Sequence, residues 1–245
     1  MKRKSLEPGA LTAPIPPAMV TVGNMDSSNV LTVAWTGILA TVPPKTYISV
    51  RPSRHSFAML EENPEFVINL PTVSLARTVD YVGIYTGKKV DKFEKCSLNK
   101  VPSEKVAPPT IAECPIALEC KVSDVLPMGS HHVFIADIVS VSVNKELLDE
   151  KGKIRFDRAD LLAYAHGEYY SLGDIVGKFG FSTDKSKAPI GTRKSSAPKK
   201  QSKTAAGEEK TPREKNGGDE NKRPFYLDLP ESVRKKNGAK KGKRK

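Results

Sequence analysis

The sequence is poor in cysteine, and the three cysteines that it has exclude two common kinds of scaffold. Cys96, Cys114 and Cys120 cannot all pair with one another, and no two of them have the C-x-x-C spacing. A disulfide framework uses an even set of cysteines, and a structural zinc site uses closely spaced pairs. We therefore predict free thiols, no metal site and a reducing compartment.

Long apolar runs are also missing. No stretch approaches the roughly 18 apolar residues that a helix needs to cross a bilayer. Residues 1–11 are basic but lack the apolar stretch of a signal peptide. The sequence therefore predicts no membrane span and a cytoplasmic location.

Common catalytic signatures are absent as well. The sequence has no G-x-G-x-x-G after a strand, no G-x-x-x-x-G-K-[ST], no H-E-x-x-H and no G-x-S-x-G. These absences argue against the usual dinucleotide, P-loop, zinc-protease and serine-hydrolase sites. His131 and His132 are neighbours in a predicted strand, so they point to opposite faces and cannot simply share one metal. No catalytic side chain is predicted.

Positive charge is in excess, but only in one part of the chain. The 245 residues include 40 Lys and Arg and 28 Asp and Glu, a net charge of +12. Residues 1–182 hold 20 basic and 20 acidic side chains, so the whole excess lies in residues 183–245. We predict one folded domain over residues 1–182, because about 180 residues can bury one core. The Lys-, Ser- and Gly-rich residues 183–245 are predicted to be a disordered basic tail.

Short β-rich segments dominate the folded part. Strands are predicted at residues 18–23, 30–35, 46–51, 65–70, 116–122 and 131–143. Helices are predicted at residues 57–62, 74–82 and 157–164, with a weaker one at 172–179. Many short strands with few helices favour a mainly β, antiparallel barrel with the helices packed outside.

One strand-to-helix junction carries the residue types of an anion site. Arg51, Ser53, Arg54 and Ser56 lie around the predicted start of the first helix. Free backbone N–H groups and the helix dipole attract a phosphate there, and Arg binds it bidentately. Taken alone, the junction favours a simpler interpretation, in which Ser53 or Ser56 caps the helix and the arginines are solvated.

An ordered set of motifs along the chain resembles a known family. It consists of N-x-L-T-x-A-W-T at 29–36, P-P-x-x-x-I-S-V-R-P-x-R-x-S at 43–56, E-F-V-I-N-L at 65–70, D-x-x-G at 80–83, G-x-x-V-D-K-F at 87–93, G-x-H at 129–131 and the segment 173–182. In this order the motifs resemble the flavin reductase-like family, and within it the flavoredoxin branch, whose fold is the FMN-binding split barrel. The resemblance covers about residues 10–182.

The resemblance implies a homodimer of antiparallel FMN-binding split β-barrels, with a few peripheral helices and one FMN per subunit near the interface. Its further implications concern individual residues. The isoalloxazine ring would lie along Thr32, Val33, Ala34, Trp35 and Thr36 and beside Asn69 and Leu70; the phosphate would bind Arg51, Ser53, Arg54 and Ser56, with Lys92 as a further contact; His131 and His166 are weak candidates on the substrate side.

Each of these assignments has an alternative. Trp35 and His131 are also ordinary choices for a core or an interface. Lys92 can be a surface lysine, and Asn69 can complete a turn before a proline. For His166 and the nearby Tyr169 the favoured interpretation is that they are turn and core residues.

The resemblance implies an FMN-dependent oxidoreductase, in which FMN carries the chemistry and the protein supplies its placement. NADH or NADPH would be the electron donor, and free flavin or a redox protein would accept the electrons. Three alternatives stay open. The protein can be an FMN electron carrier without a nicotinamide site, a family member that binds no flavin, or a protein whose basic tail binds nucleic acid or another acidic partner weakly through its charge.

Overall fold

An antiparallel β-sheet is the framework of the protein. The computed structural model describes residues 3–183. Within that range the sheet has seven strands, which are β1 (Ala18–Gly23), β2 (Ser28–Val33), β3 (Thr36–Thr41), β4 (Pro44–Val50), β5 (Glu65–Leu70), β8 (Ile116–Met128) and β9 (His131–Val143). They are ordered β2-β1-β5-β8-β9-β4-β3, and each neighbouring pair is antiparallel.

Smaller elements are added around this sheet. In the described range there are two short hairpins and three α-helices: β6 (Lys100–Val101) with β7 (Thr110–Ile111), β10 (Leu162–Ala165) with β11 (Glu168–Ser171), and α1 (His55–Glu62), α2 (Ala76–Ile84) and α3 (Lys92–Lys95). Single 3-10 turns lie at Val73–Leu75, Lys145–Leu147, Phe156–Arg158 and Phe181–Thr183. None of the described helices has the length and apolar character needed to span a membrane.

The two edges of the sheet approach each other at one corner. The edge strands β2 and β3 are consecutive in the chain and are joined by Ala34 and Trp35. The backbone N–H of Ser49 in β4 donates to the carbonyl of Trp35 at 3.0 Å, so this connection is tied to the far side of the sheet. The fold is thus a split antiparallel barrel with a few peripheral helices, and the predicted fold class is confirmed.

The core has two main parts, one on each face of β1. Val20 and Val22 belong to a cluster with Phe57 of α1 and Phe134 of β9, whose rings meet edge to face at 5.4 Å. Met19, on the opposite face, belongs to a second cluster under α2 and α3. A strand that is buried on both faces has no polar alternation, which explains the nearly continuous apolar run of β1. Each fully buried large side chain contributes about 1.5–3 kcal/mol.

The cysteines are part of this core. Cys96, Cys114 and Cys120 are free, as predicted. Burial raises the pKa of the Cys114 and Cys120 thiols to about 12. Both therefore remain protonated and unreactive near neutral pH.

Two predicted helices are wrong. Residues 157–164 form only the end of a 3-10 turn and then β10, which pairs with β11 through a turn at His166 and Gly167. Asp160 has a positive φ of 46°, which ends the helical turn, and Tyr164 is bridged to Ile15. Residues 172–178 have no regular secondary structure. The edge strand β3 was not predicted.

The C-terminal part of the chain is described only in part. One compact unit ends at Val176, and the described residues 177–183 belong to a second unit. The predicted boundary after residue 182 stays a prediction. The predicted disorder of the basic tail concerns residues that lie, except for Thr183, outside the described range.

Candidate functional site

A cavity of about 160 Å³ lies at the N-terminus of α1. Four segments that are distant in sequence form its walls: β2, the junction before α1 with its first turn, the turn after α2, and α3. The lining residues are Asn29, Leu31, Ser53, Arg54, His55, Ser56, Tyr85, Thr86, Gly87 and Lys92. None of these side chains is a carboxylate.

The start of α1 has no side-chain cap. Arg54 occupies the N-cap position in an extended conformation, and no side chain accepts a hydrogen bond from the first turn. The simpler interpretation of the junction, in which Ser53 or Ser56 caps the helix, is therefore wrong. The N–H of Phe57 donates to the carbonyl of Arg54 at 3.0 Å, but the amides of His55 and Ser56 come too early to find a carbonyl within the helix. Such amides carry partial positive charge, so this end of α1 favours an anion.

Ser56 presents a hydroxyl from the first turn of α1. The side chain is 1% exposed, and its oxygen accepts a hydrogen bond of 2.7 Å from the amide nitrogen of Asn29. Since this oxygen already accepts, the hydroxyl proton has to be donated elsewhere. Within residues 3–183 the hydroxyl makes no hydrogen bond other than the one from Asn29, so its proton is available to a ligand in the cavity.

Lys92 is a buried cation in the wall formed by α3. It is 4% exposed, and its ammonium donates 2.8 Å hydrogen bonds to the carbonyls of Val30 and Val82. An ammonium has three donors, so one remains. Burial and then the charge of Arg54 lower the pKa of Lys92 to about 8. No carboxylate forms an ion pair with it among residues 3–183.

Two arginines add to this positive charge. Arg54 lines the cavity and donates from Nη1 to the carbonyl of Gly83 at 2.9 Å. Burial and then the charge of Arg51 lower the pKa of Arg54 from its ordinary value. Buried or half-buried like charges repel each other unless something compensates them. A bound anion would provide that compensation.

An aromatic surface adjoins the arginines. Trp35, which is 41% exposed, contacts the imidazole of His131 with ring centroids 4.6 Å apart. Burial and then the charges of Arg51 and Arg54 lower the pKa of His131, which favours its neutral form. The adjacent His132 faces the other way, towards Phe57 at 5.0 Å, as its position in a strand predicts.

Comparison with known proteins identifies the family. The model of the flavin reductase-like domain matches residues 11–173. The chain belongs to the flavin reductase-like family. Among solved structures it is similar to the flavoredoxin of Desulfovibrio vulgaris (Miyazaki F), with 33% identity and a TM-score of 0.69 over 74% of this chain and 98% of that one.

The chain is also similar to two other proteins. The flavoredoxin of Methanosarcina acetivorans has 25% identity and a TM-score of 0.67, over 76% of this chain and 99% of that one. A protein of Archaeoglobus fulgidus is 33% identical over 135 residues, which are 55% of this chain and 76% of that protein. The resemblance to the flavoredoxin branch is thus confirmed.

The family's predicted phosphate residues lie together in this structure. Ser53, Arg54, Ser56 and Lys92 all line the cavity. Arg51 is not part of the lining, but its charge acts on both Arg54 and His131. These geometries are compatible with the predicted contacts, which stay predictions.

The predicted ring segment, residues 32–36, has mostly structural contacts of its own. The hydroxyls of Thr32 and Thr36 donate to the carbonyls of Val79 and Tyr47. Val33 is buried in the core, and Ala34 lies beside Trp35 in the connection between β2 and β3. In this segment Trp35 is the side chain with the largest exposed surface.

Asn69 has structural contacts of its own. Its buried amide nitrogen donates to the carbonyls of Met19 and Val67, and its oxygen accepts from the N–H of Ile111. The side chain therefore ties β1, β5 and β7 together, and its predicted place beside the flavin ring stays a prediction. The neighbouring Leu70 packs partly buried against the core, and its predicted ring contact stays a prediction.

His166 and Tyr169 fit the interpretation favoured from the sequence, in which they are turn and core residues. His166 is exposed in the β10–β11 turn with a positive φ of 45°, which a turn residue can adopt. Tyr169 packs against Tyr164 and lies 3.3 Å from a carboxylate oxygen of Asp80. Burial and then Asp80 raise the pKa of Tyr169 to about 12. Neither residue lines the cavity.

Some residues of the cavity were not predicted from the sequence. They are Asn29, Leu31, His55, Tyr85, Thr86 and Gly87. Asn29 begins the N-x-L-T-x-A-W-T motif and Gly87 begins G-x-x-V-D-K-F, so the motifs contained a signal for both. Nothing local distinguishes Tyr85 and Thr86, because only the turn after α2 brings them to the cavity.

Proposed function

We propose that the protein is an FMN-binding oxidoreductase that takes electrons from NADH or NADPH. The observation that carries this proposal is the cavity at the N-terminus of α1, which has Arg54 and Lys92 in its walls and no carboxylate. A phosphate monoester is a dianion at neutral pH. It supplies the charge that this cavity lacks.

The donors of the cavity fit the phosphate of FMN. The cavity offers three kinds of hydrogen-bond donor: the remaining N–H of Lys92, the hydroxyl proton of Ser56 and the first amides of α1. Arg54 adds a charged donor group at the same place. Hydrogen bonds to charged groups contribute about 1.5–3 kcal/mol each, so a few of them suffice to retain a small cofactor.

The aromatic surface provides the place for the ring. Trp35 is partly exposed and lies against His131, close enough to Arg51 and Arg54 for their charges to act on the imidazole. A flat flavin ring can pack on such a surface. In its neutral form, His131 can donate or accept one hydrogen bond there without adding charge.

The chemistry belongs to the cofactor. When bound, FMN accepts a hydride from a reduced nicotinamide and passes the electrons on. The protein's residues would place the phosphate and support one face of the ring, and no carboxylate lines the cavity. The similarity to two flavoredoxins supports a flavin-dependent redox function, and the acceptor would be free flavin or a redox protein.

Absorption spectroscopy of the purified protein tests the proposal. We expect FMN to bind and, without oxygen, the absorbance of its oxidised form to bleach on addition of NADH or NADPH. A protein that binds FMN without bleaching would be an electron carrier without a nicotinamide site. A protein that binds no FMN would contradict the proposal altogether.

We also propose that the protein is a homodimer. Apolar side chains are exposed along the edge strand β3 and its continuation, with Ile38 63% and Val42 92% exposed. Val125, Leu126 and Met128 are exposed at the end of β8. Light scattering should give twice the chain mass, and Ile38→Lys should shift the protein towards monomer. A monomeric wild-type protein would exclude this arrangement.

A further inference from the structure

Gly87 lies where a side chain would disturb the cavity. It belongs to the turn between α2 and α3 and lines the cavity. Its φ is not positive, so backbone conformation does not require glycine. A Cβ at this position would lie 2.4 Å from Oδ1 and 2.7 Å from Cγ of Asn29, and 2.8 Å from Cδ2 of His55. These distances are too short, so Asn29 and His55 would have to move.

Asn29 has little room to move without losing its contacts. Its side chain is 6% exposed, and its backbone pairs with Val22 inside the sheet. Its amide nitrogen donates to the oxygen of Ser56, which is itself 1% exposed. Rotation of the Asn29 amide away from a Cβ at position 87 would lengthen or break this bond.

The bond from Asn29 sets the direction in which Ser56 can donate. While the Ser56 oxygen accepts from Asn29, its proton points to another acceptor. Without Asn29 the hydroxyl can rotate freely or donate to backbone carbonyls of its own helix, as serine does in helices. The Asn29 bond therefore prepares Ser56 as a donor to a ligand in the cavity.

We infer that Gly87 is a positioning residue of the phosphate site: it leaves the space in which Asn29 holds Ser56 oriented towards the phosphate. This inference rests on the proposed binding of FMN. Gly87 does not contact the phosphate through a side chain of its own. It acts through Asn29 and Ser56, and its effect should disappear when they are removed.

The direct test is Gly87→Ala, with Gly173→Ala as the matched control. A Cβ at Gly173 would have no atom within 4 Å, and its φ is not positive either. FMN and riboflavin affinities are measured by flavin fluorescence, and the melting temperature of each flavin-free protein is recorded. We expect Gly87→Ala to weaken FMN binding about tenfold, because this corresponds to the loss of one hydrogen bond to a charged group. Riboflavin affinity and the Gly173→Ala protein should stay within about twofold of wild type.

A double mutant separates positioning from general damage. In a Ser56→Ala background, Gly87→Ala should weaken FMN by less than about twofold, because coupled residues are not additive. A tenfold loss in both backgrounds would overturn the inference, as would equal losses for FMN and riboflavin. A Gly87→Ala protein that binds FMN like wild type would overturn it too.

Two other results are conceivable: the Gly87→Ala protein does not fold, or the wild-type protein binds no FMN. If Gly87→Ala does not fold, Asn29→Ala with Gly87→Ala removes the closest contacts, and this protein should fold and bind FMN as Asn29→Ala does. A weaker double mutant would contradict the role of Asn29. If the wild-type protein binds no FMN, the proposed function itself is rejected. If the wild-type protein binds FMN and the Gly87→Ala protein binds it equally well, only the role of Gly87 is rejected.

Discussion

FMN affinity should fall as the pH rises through 8, because Lys92 is a buried ammonium in the wall of the cavity. Burial and then the charge of Arg54 lower its pKa from the ordinary 10.5 to about 8. The nearby Cys96 thiol has its pKa raised by burial, and the pKa of His131 is lowered. The phosphate has its second pKa near 6, so the ligand remains a dianion while Lys92 loses its proton.

The size of the effect follows from proton linkage. A dianion beside Lys92 favours the ammonium, so the pKa of Lys92 rises again when FMN binds. If the pKa is about 8 without ligand and well above 9 with ligand, FMN binds about tenfold more weakly at pH 9 than at pH 7.

Flavin fluorescence titrations at several pH values from 7 to 9 check this expectation. Riboflavin is the matched ligand, since it has the same ring and no phosphate, and its affinity should not show the tenfold fall. In Lys92→Met the FMN affinity at pH 7 should be lower by about 1.5–3 kcal/mol and should lose this pH dependence. A flat FMN profile, or an equal fall for riboflavin, would refute the reasoning.

The same pKa predicts the opposite trend for the stability of the flavin-free protein. Because the folded-state pKa of Lys92 lies below the ordinary 10.5, the unfolded chain binds more protons between pH 8 and 10.5. The contribution of Lys92 to the free energy of unfolding therefore rises with pH in that window, by about 3 kcal/mol in total. Urea unfolding of the wild-type and Lys92→Met proteins at pH 8 and 9.5 isolates this contribution. If the free energy of unfolding changes equally with pH in both proteins, the prediction is wrong.

Three further predictions concern single side chains. Arg54→Ala should weaken FMN binding by about 1.5–3 kcal/mol, measured by flavin fluorescence. The control is Arg77→Ala, at an exposed position on α2, which should leave FMN binding unchanged; equal effects of the two substitutions would remove Arg54 from the site. Asn69→Ala removes hydrogen bonds to backbone groups of Met19 and Ile111 and should lower the free energy of unfolding by about 1–3 kcal/mol for each group left without a partner. FMN affinity should stay unchanged, and a selective loss of FMN binding would instead support the predicted contact of Asn69 with the ring. The buried Glu119 accepts hydrogen bonds from the backbone N–H groups of Glu104 and Lys105. Glu119→Gln should therefore speed hydrogen exchange of these two amides, and unchanged exchange rates would contradict the role of Glu119 in holding them.

Segments with a strong local pattern were predicted well. The bounds of β1, β5 and β9 in the structure are those read from β-branched runs and their Pro and Gly flanks. The strand β3 is different, because its sequence, Thr-Gly-Ile-Leu-Ala-Thr, has no clean alternation. Its pairing with β4 includes an irregularity between Ile38 and Ala40, and an edge strand of this kind depends on its partner rather than on its own pattern.

The wrong helix at residues 157–164 has a similar cause. Its apolar residues are compatible with either a short helix or a strand. Contacts with distant segments select the strand, since Thr72 is bridged to Leu161 and Ile15 to Tyr164. Local propensity carries too little free energy to resist such pairing.

The ordered motifs, available from the sequence alone, were enough to predict the family, the split-barrel fold and the junction of Arg51, Ser53, Arg54 and Ser56 as a phosphate site. They could not show that Lys92 is buried, because a lysine between Asp91 and Phe93 has no local sign of burial. Nor could they separate Asn69, whose amide serves the sheet, from Asn29, whose amide orients Ser56. Those distinctions depend on contacts between residues 27 to 62 positions apart, and only the packing of β2, α1, α2 and α3 around one cavity brings such groups within hydrogen-bonding distance.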